Sequence, residues 1–393
     1  MRSLATTTGI LLLASACASS NTENPGVERT DSAGVDIVTN GPADIPLDWP
    51  ITEEFRLGGA DSGPEAFYRV RSDGLGTDPS GNTYILDAGN FRVLKFDGEG
   101  GLVSTFGREG GGPGEFQFPA LLAVSPGGEI FVHDYGKAGL VRFAPDGEPL
   151  NPSPWGEPVA VSAMHAAPSG LMVAHRKYGG ADAQDTVRVS VMTASDTTTI
   201  AYYVAPRNEQ IMLESCGVGL AGLPRLLFPE MLVGGYGDRM AVSRIPEYVV
   251  DVFEGMTHVA SFRRAIPNET ATHERAIAEL GEGMRIGVGG GDQVRVCDSE
   301  EVVEKRGYAP VVPQIAGVAV APDGTIWVQR KGVGNEEAPI DIIDPSGAYT
   351  GTLPAGTPFP DAFLPNGNLL SVERDELDVE YVVAYRVGGT APE

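Results

Sequence analysis

Six charged residues stand at one recurring place in this sequence of 393 residues. Asp87, Asp134, Arg176, Arg244, Arg330 and Arg374 each lie six or seven residues beyond a glycine placed to close a tight turn. Four of the six are arginine, in a chain with 28 basic and 53 acidic residues and a formal net charge of −25. A guanidinium presents a planar fork of donors that matches carboxylate, phosphate or sulfate. Brought together, Arg176, Arg244, Arg330 and Arg374, with Asp87 and Asp134, would form a binding site for an anionic small molecule, a peptide or a glycan. The competing reading is structural: the arginines pair with Asp87, Asp134, Glu247 and Asp375 between neighbouring elements and act as glue.

Other chemistry is sparse. The five histidines (His133, His165, His175, His258 and His273) show no zinc-ligand spacing. His133 and His175 occupy equivalent places beside Asp134 and Arg176, where a packing role is the commoner one. Asp87 and Asn90 offer oxygens of the kind calcium takes, although such side chains ordinarily bond to their own turn. There is no Gly-x-Ser-x-Gly elbow, and the glycine-rich run GREGGGPGEF follows no phosphate-loop pattern. The sequence therefore assigns no catalytic residue, no metal site and no cofactor beyond a weak case for calcium. The acidic balance argues against nucleic acid as a partner and against a basic membrane-binding patch.

The elements that must hold these residues repeat. A turn ending in glycine and followed by a β-rich apolar strand recurs six times: DPSGNTYILD, SPGGEIFVHD, APSGLMVAHR, GYGDRMAVSR, APDGTIWVQR and LPNGNLLSVER. The glycines are Gly81, Gly128, Gly170, Gly237, Gly324 and Gly367. In most copies a third strand follows, such as RVLKFD or PIDIIDP, and then usually a fourth, such as LVSTFG. Four antiparallel strands at this period make one blade of a β-propeller, so the fold class is all-β with six blades. The charged position after each glycine then falls at the end of the second strand. That end shares a face with the connections between blades, where such folds commonly bind ligands.

Three glycine spacings are 42 to 47 residues, as a four-stranded blade requires, while two are 67 and 87. The excess marks insertions at about 206–227 and 267–313. Cys216 lies in the first and Cys297 in the second, so a disulfide would tie the two together; two unpaired thiols are the alternative. The second insertion holds one short helix, around Thr270 to Leu280, with Gly281 placed to end it. The last repeat supplies three strands. The ring therefore expects a strand from the N-terminal region, either GVDIV (Gly34 to Val38) or EEFRLGG (Glu53 to Gly59).

FGREGGGPGEFQFPALLAV (Phe106 to Val124), after DPSGNTYILDAGNFRVLKFD (Asp78 to Asp97), resembles NHL-type repeats. With GVDIV, RLGG, FYRV (Phe67 to Val70) and RDELDVEYVVAYRV (Arg374 to Val387), the whole is similar to the bacterial six-bladed propeller lipoproteins with NHL-like repeats. The resemblance implies the fold and carries over no catalytic residue. The third and fourth repeats depart from the pattern, lacking its Asp and Asn in the turn.

The chain begins with one positive charge, a short apolar run through Leu11 to Leu13, and Ala14-Ser15-Ala16-Cys17. Residues 1–16 read as a lipoprotein signal peptide with Cys17 as the acylated residue, or as an ordinary secretory signal cut nearby. Residues 17–33 read as a flexible polar tether and 34–389 as a single propeller domain. The expected protein is exported, held by its N-terminal lipid on the periplasmic side of the outer membrane or at the cell surface, and monomeric. Its expected role is a binding or interaction module for an envelope protein or small ligand. The competing class is a metal-dependent hydrolase or lyase using the central channel, as in lactonase-like six-bladed propellers.

Overall fold

The computed structural model describes residues 26–59, 63–154, 160–177, 185–205, 210–220, 224–288, 293–334 and 336–388. The segment read as a signal peptide, 1–16, and Cys17 lie outside them. Six four-stranded antiparallel units follow one another along the chain. Blade 1 opens with the innermost strand Leu75–Thr77, blade 2 with Pro119–Val124 and blade 3 with Ala160–Ala167. Blades 4, 5 and 6 open with Leu232–Tyr236, Ile315–Val320 and Ala362–Phe363.

The turns between first and second strands behave as the repeats predict. All six repeat glycines have positive φ, from +57° at Gly237 to +141° at Gly170. This is the region where a Cβ is costly and glycine is not. In blade 1 the turn is clamped by Asp78, whose Oδ1 accepts from the amides of Ser80 and Asn82.

Because each blade runs up, down, up and down, two faces are defined by topology. One, the turn face, carries the six glycine turns. The other, the insertion face, carries the ends of the second and fourth strands, the links between blades, and both insertions.

The core is built between blades rather than within them. One cluster joins Ile85 and Leu94 of blade 1 to Leu370 and Val382 of blade 6, and another joins Leu86 and Val93 to Leu122 and Val132 of blade 2. The remaining four blade junctions have equivalent clusters. The inner strands of a blade therefore bury both faces, and removing one blade would expose two such clusters.

Ring closure falls to the EEFRLGG segment. Ile51–Gly58 pairs antiparallel with Glu380–Val387 as the fourth strand of blade 6. The GVDIV segment does something else: Val35–Asn40 pairs parallel with Thr257–Arg264 and adds a fifth strand to blade 4. Val27–Ser32 pairs in turn with Val35–Asn40. The segment read as tether therefore becomes strand from Val27 onward. Its polar residues are tolerated because that strand is exposed at the edge of the sheet. Between these strands, Leu47 donates its amide to the Thr352 carbonyl of blade 5. The N-terminal segment is thus a strap running along the outer strands of blades 4, 5 and 6.

The two insertions form one module. Hairpin Ile211–Leu213/Val218–Leu220 comes from the first and hairpin Met284–Val288/Gln293–Cys297 from the second. Two helices, α1 (His273–Leu280) and α2 (Ser299–Arg306), join them. α2 corrects the expectation of a single helix. Its sequence, SEEVVEKR, offers only two apolar side chains, both buried, so no helical apolar stripe announces it. Leu213, Ala276, Cys297, Val302 and Val303 make a core of its own, and Cys216 and Cys297 are disulfide-bonded across 81 residues.

Candidate functional site

The six charged residues of the repeat position do not meet. Arg176 pairs with Asp185 at 3.1 Å, Arg244 with Asp251 at 3.4 Å, Arg330 with Asp341 at 2.7 Å and Arg374 with Glu380 at 2.8 Å. Each partner stands on the third strand of the same blade. The glue reading is thus corrected in detail: the pairs brace second strand to third within a blade, because the turn between those strands brings these positions side by side.

Asp87 and Asp134 clamp the preceding link instead. Asp87 accepts from the Tyr68 amide, the Asn90 amide side chain and Arg92 Nε, each at 2.8 Å. Asp134 accepts from the amides of Gln117, Phe118 and Lys137. The carboxylate oxygens that calcium would need from Asp87 are therefore engaged with Tyr68, Asn90 and Arg92. His133 is buried edge-on against Tyr135, and burial pushes it down to about 4. His175 meets Ser190 Oγ at 3.2 Å.

The four arginines are spread around the rim. Arg244 borders a depression with Arg263 and Gln314 at the junction of blades 4 and 5. Arg374 borders another with Tyr68 and Arg69 at the junction of blades 6 and 1. Val294 of the inserted hairpin shares that second depression, so the module that starts between blades 3 and 5 reaches across the insertion face. It is also pinned to blade 5, where α1 presents Glu279 to Lys331 and to the Gly334 amide, and Arg275 to the Gly332 carbonyl.

The central cavity lies toward the other end. It has a volume of about 440 Å³ and is lined by residues of all six innermost strands and the turns that follow several of them. None of the six repeat-position residues lines it. Its walls are aliphatic and narrow. A Cβ on Gly234 would stand 2.3 Å from the Val318 carbonyl oxygen, and one on Gly235 2.6 Å from the His165 ring, so these close approaches require glycine.

Its polar groups are few. Asp78 is consumed by its own turn and by Tyr84, and Thr77 Oγ1 donates to the Phe363 carbonyl. His165 Nε2 lies 2.8 Å from the Gly237 carbonyl, which can only accept, so Nε2 carries the proton. Burial pushes the His165 pKa down and holds the ring neutral, leaving Nδ1 as an acceptor. Burial also raises the Tyr236 hydroxyl.

Asp361 is the unusual member. Its Oδ2 accepts from the Val372 amide at 2.7 Å. Burial, reinforced by the Asp73 carboxylate and opposed by that amide, pushes Asp361 up to about 7. The sequence offered no signal for it, since an aspartate beside a short innermost strand resembles any turn residue.

The consequence for stability has a definite sign. Folded Asp361 holds its proton up to about pH 7, whereas in the unfolded chain it loses it near 3.8. Its contribution is therefore full below pH 4 and is lost as pH rises to 7, with a slope approaching about 1.4 kcal/mol per pH unit. Asp361→Asn keeps an acceptor for Val372 and removes the titration. Urea unfolding at pH 5 and pH 8 should show the variant gaining on the wild type as pH rises.

Among the described residues no group of three or more His, Cys, Asp or Glu side chains is placed to hold a metal. Among them, too, no helix is long and apolar enough to cross a membrane. The chain is a six-bladed β-propeller by its own topology, and it is similar to solved structures. A candidate exported protein of Bacteroides fragilis aligns with a TM-score of 0.52 at 13% identity, over 90% of this chain and 100% of that one. The calcium-binding protein regucalcin of Agrobacterium tumefaciens aligns with a TM-score of 0.41 at 12% identity, over 88% and 96%. No family model matches the chain, and no curated protein matches its sequence.

Proposed function

We propose that this chain is an exported, lipid-anchored binding propeller whose insertion face recognises a protein partner in the cell envelope. One observation carries the reading. The large apolar side chains left exposed are concentrated on that face and come from most of the ring: Tyr68, Phe118, Tyr135, Tyr202, Ile245 and Leu377, with Val294 and Val296 of the inserted hairpin. Phe118 is 60% exposed and Leu377 84%. Exposed aromatics beside arginines such as Arg69 and Arg374 are the side chains enriched in protein interfaces. A rigid ring with a disulfide-tied module is suited to presenting them.

Export and anchoring rest on the sequence. The bond between Cys216 and Cys297 leaves Cys17 as the one remaining cysteine of the three, as an acylated residue would be. Mass spectrometry of the mature protein should show a lipid on Cys17. Cys17→Ser should release the protein from membranes.

The face is tested by a photoreactive residue placed singly at Phe118, Tyr202 and Leu377, with Leu102 and Met256 as turn-face controls. A shared adduct from the first three and none from the controls is expected in the native envelope. Equal labelling of both faces, or none on either, would remove the proposal.

A further inference from the structure

The central cavity faces away from that surface and carries its own chemistry. Its lining contains two aspartates, one histidine and one tyrosine, and no lysine or arginine. Asp78 is saturated, as described above. Asp361 is not: the Val372 amide satisfies Oδ2, and no protein donor among the described residues reaches Oδ1. Asp361 is partly buried, so its Oδ1 stands open to the cavity and can accept from a bound donor. Around it the walls are aliphatic and aromatic, with Leu122, Val233, Val318 and Phe363 among them.

We infer that the cavity is a binding site for a small organic cation, an amine with an apolar body, whose ammonium pairs with Asp361. The charge of the lining decides against the alternatives. An anion would meet carboxylates and no cation. A sugar would need several open polar groups and finds mostly hydrocarbon. For a bare metal ion, no group of three or more His, Cys, Asp or Glu side chains is in place among the described residues. An ammonium supplies the missing donor to Oδ1, while the hydrocarbon gains from burial against the walls. The strong negative charge of the whole protein further favours cations in a cleft with low-dielectric walls. The inference stands apart from the partner proposed for the insertion face.

Binding must depend on pH in one direction. The titratable and charged groups facing Asp361 are Asp73, itself paired with Arg71 at 2.8 Å, and Asp78, His165 and Tyr236 of the same cavity. Asp361 is protonated below about 7 and must ionise to hold an ammonium. Affinity should therefore fall about tenfold per pH unit as pH drops below 7, with one proton released on binding there.

The experiment uses the mature full-length protein and a panel of alkyl and aryl amines, each with the alcohol and the carboxylate of the same skeleton. Calorimetry at pH 8 should find amines that bind at least tenfold tighter than their matched alcohols and carboxylates. Asp361→Asn should abolish that preference while its circular dichroism stays native. Phe118→Ser, on the opposite face, should leave it intact. No amine preference in the panel, a preference that survives Asp361→Asn, or affinity that rises toward pH 5 would each overturn the inference.

Discussion

Replacing Arg264 by methionine is expected to cost about 3–5 kcal/mol of stability, the range for breaking a buried pair by removing one partner. Arg264 ends the fourth strand of blade 4, and its side chain is fully buried. Its Nη1 donates to Asp341 of blade 5 at 2.9 Å, and its Nη2 to the carbonyls of Pro42 and Ala43 and to Asp44. The guanidinium also lies 3.8 Å over the Tyr349 ring. One side chain thus joins blade 4, blade 5 and the strap where it passes from one to the other. Methionine fills similar volume but leaves the carbonyls and Asp341 short of a donor, although Arg330 and Thr352 still serve Asp341.

The contrast with an exposed pair is the useful control. Arg29 and Asp36 are close to half exposed, and Arg29→Met should change stability by less than about 1 kcal/mol. Urea unfolding measures both. Limited proteolysis adds a local readout: Arg264→Met should open the strap near residues 41–47 to cleavage, and Arg29→Met should not. Equal losses from the two substitutions would show that the buried network contributes nothing special.

The ring was legible because its signal is local. Each blade needs a glycine turn between two strands, and positive φ at Gly81 or Gly324 is a requirement of single residues that the sequence must write down. The cysteines were legible for a similar reason, one lying in each departure from the repeat length. Partner choice was not. GVDIV and EEFRLGG both read as strands, and nothing in their alternation says that the first joins blade 4 in parallel while the second closes blade 6. Strand pairing is settled by cross-strand neighbours, which periodicity does not contain.

α2 is announced by its cap rather than by an apolar stripe. Asp298 followed by Glu301 is a capping pattern, and the Asp298 side chain does accept from the Glu301 amide at 3.0 Å. The candidate site was the least legible part. The repeat position correctly identified a set of equivalent charged residues, but equivalence in a ring places side chains around a circumference, not at a point. What converges in a propeller is the innermost strand of each blade. There Asp361 and His165 carry no mark beyond their surroundings, which only the closed ring creates.

The second large effect belongs to the disulfide, and it should appear in one part of the molecule. In the chain-entropy model, closing an 81-residue loop is worth about 4–5 kcal/mol against global unfolding. That loop contains all of blade 4, which remains folded if only the module opens. The constrained chain is then shorter, but the cost grows only with the logarithm of loop length, so about 4 kcal/mol still applies. The module has little to set against such a loss. Its core is small, centred on Leu213, Ala276, Val302 and Val303, and separate from the clusters that join the blades. Cys216→Ser with Cys297→Ser should therefore release the module while the ring persists. Amide exchange should rise sharply over both hairpins, α1 and α2 and stay slow in the innermost strands of blades 1 to 6. Protection lost in module and ring together would mean that the module is a cooperative part of the propeller. In the expected case, Val294 and Val296 lose their fixed place on the insertion face, and photocrosslinking from Leu377 should weaken while amine binding in the central cavity is retained.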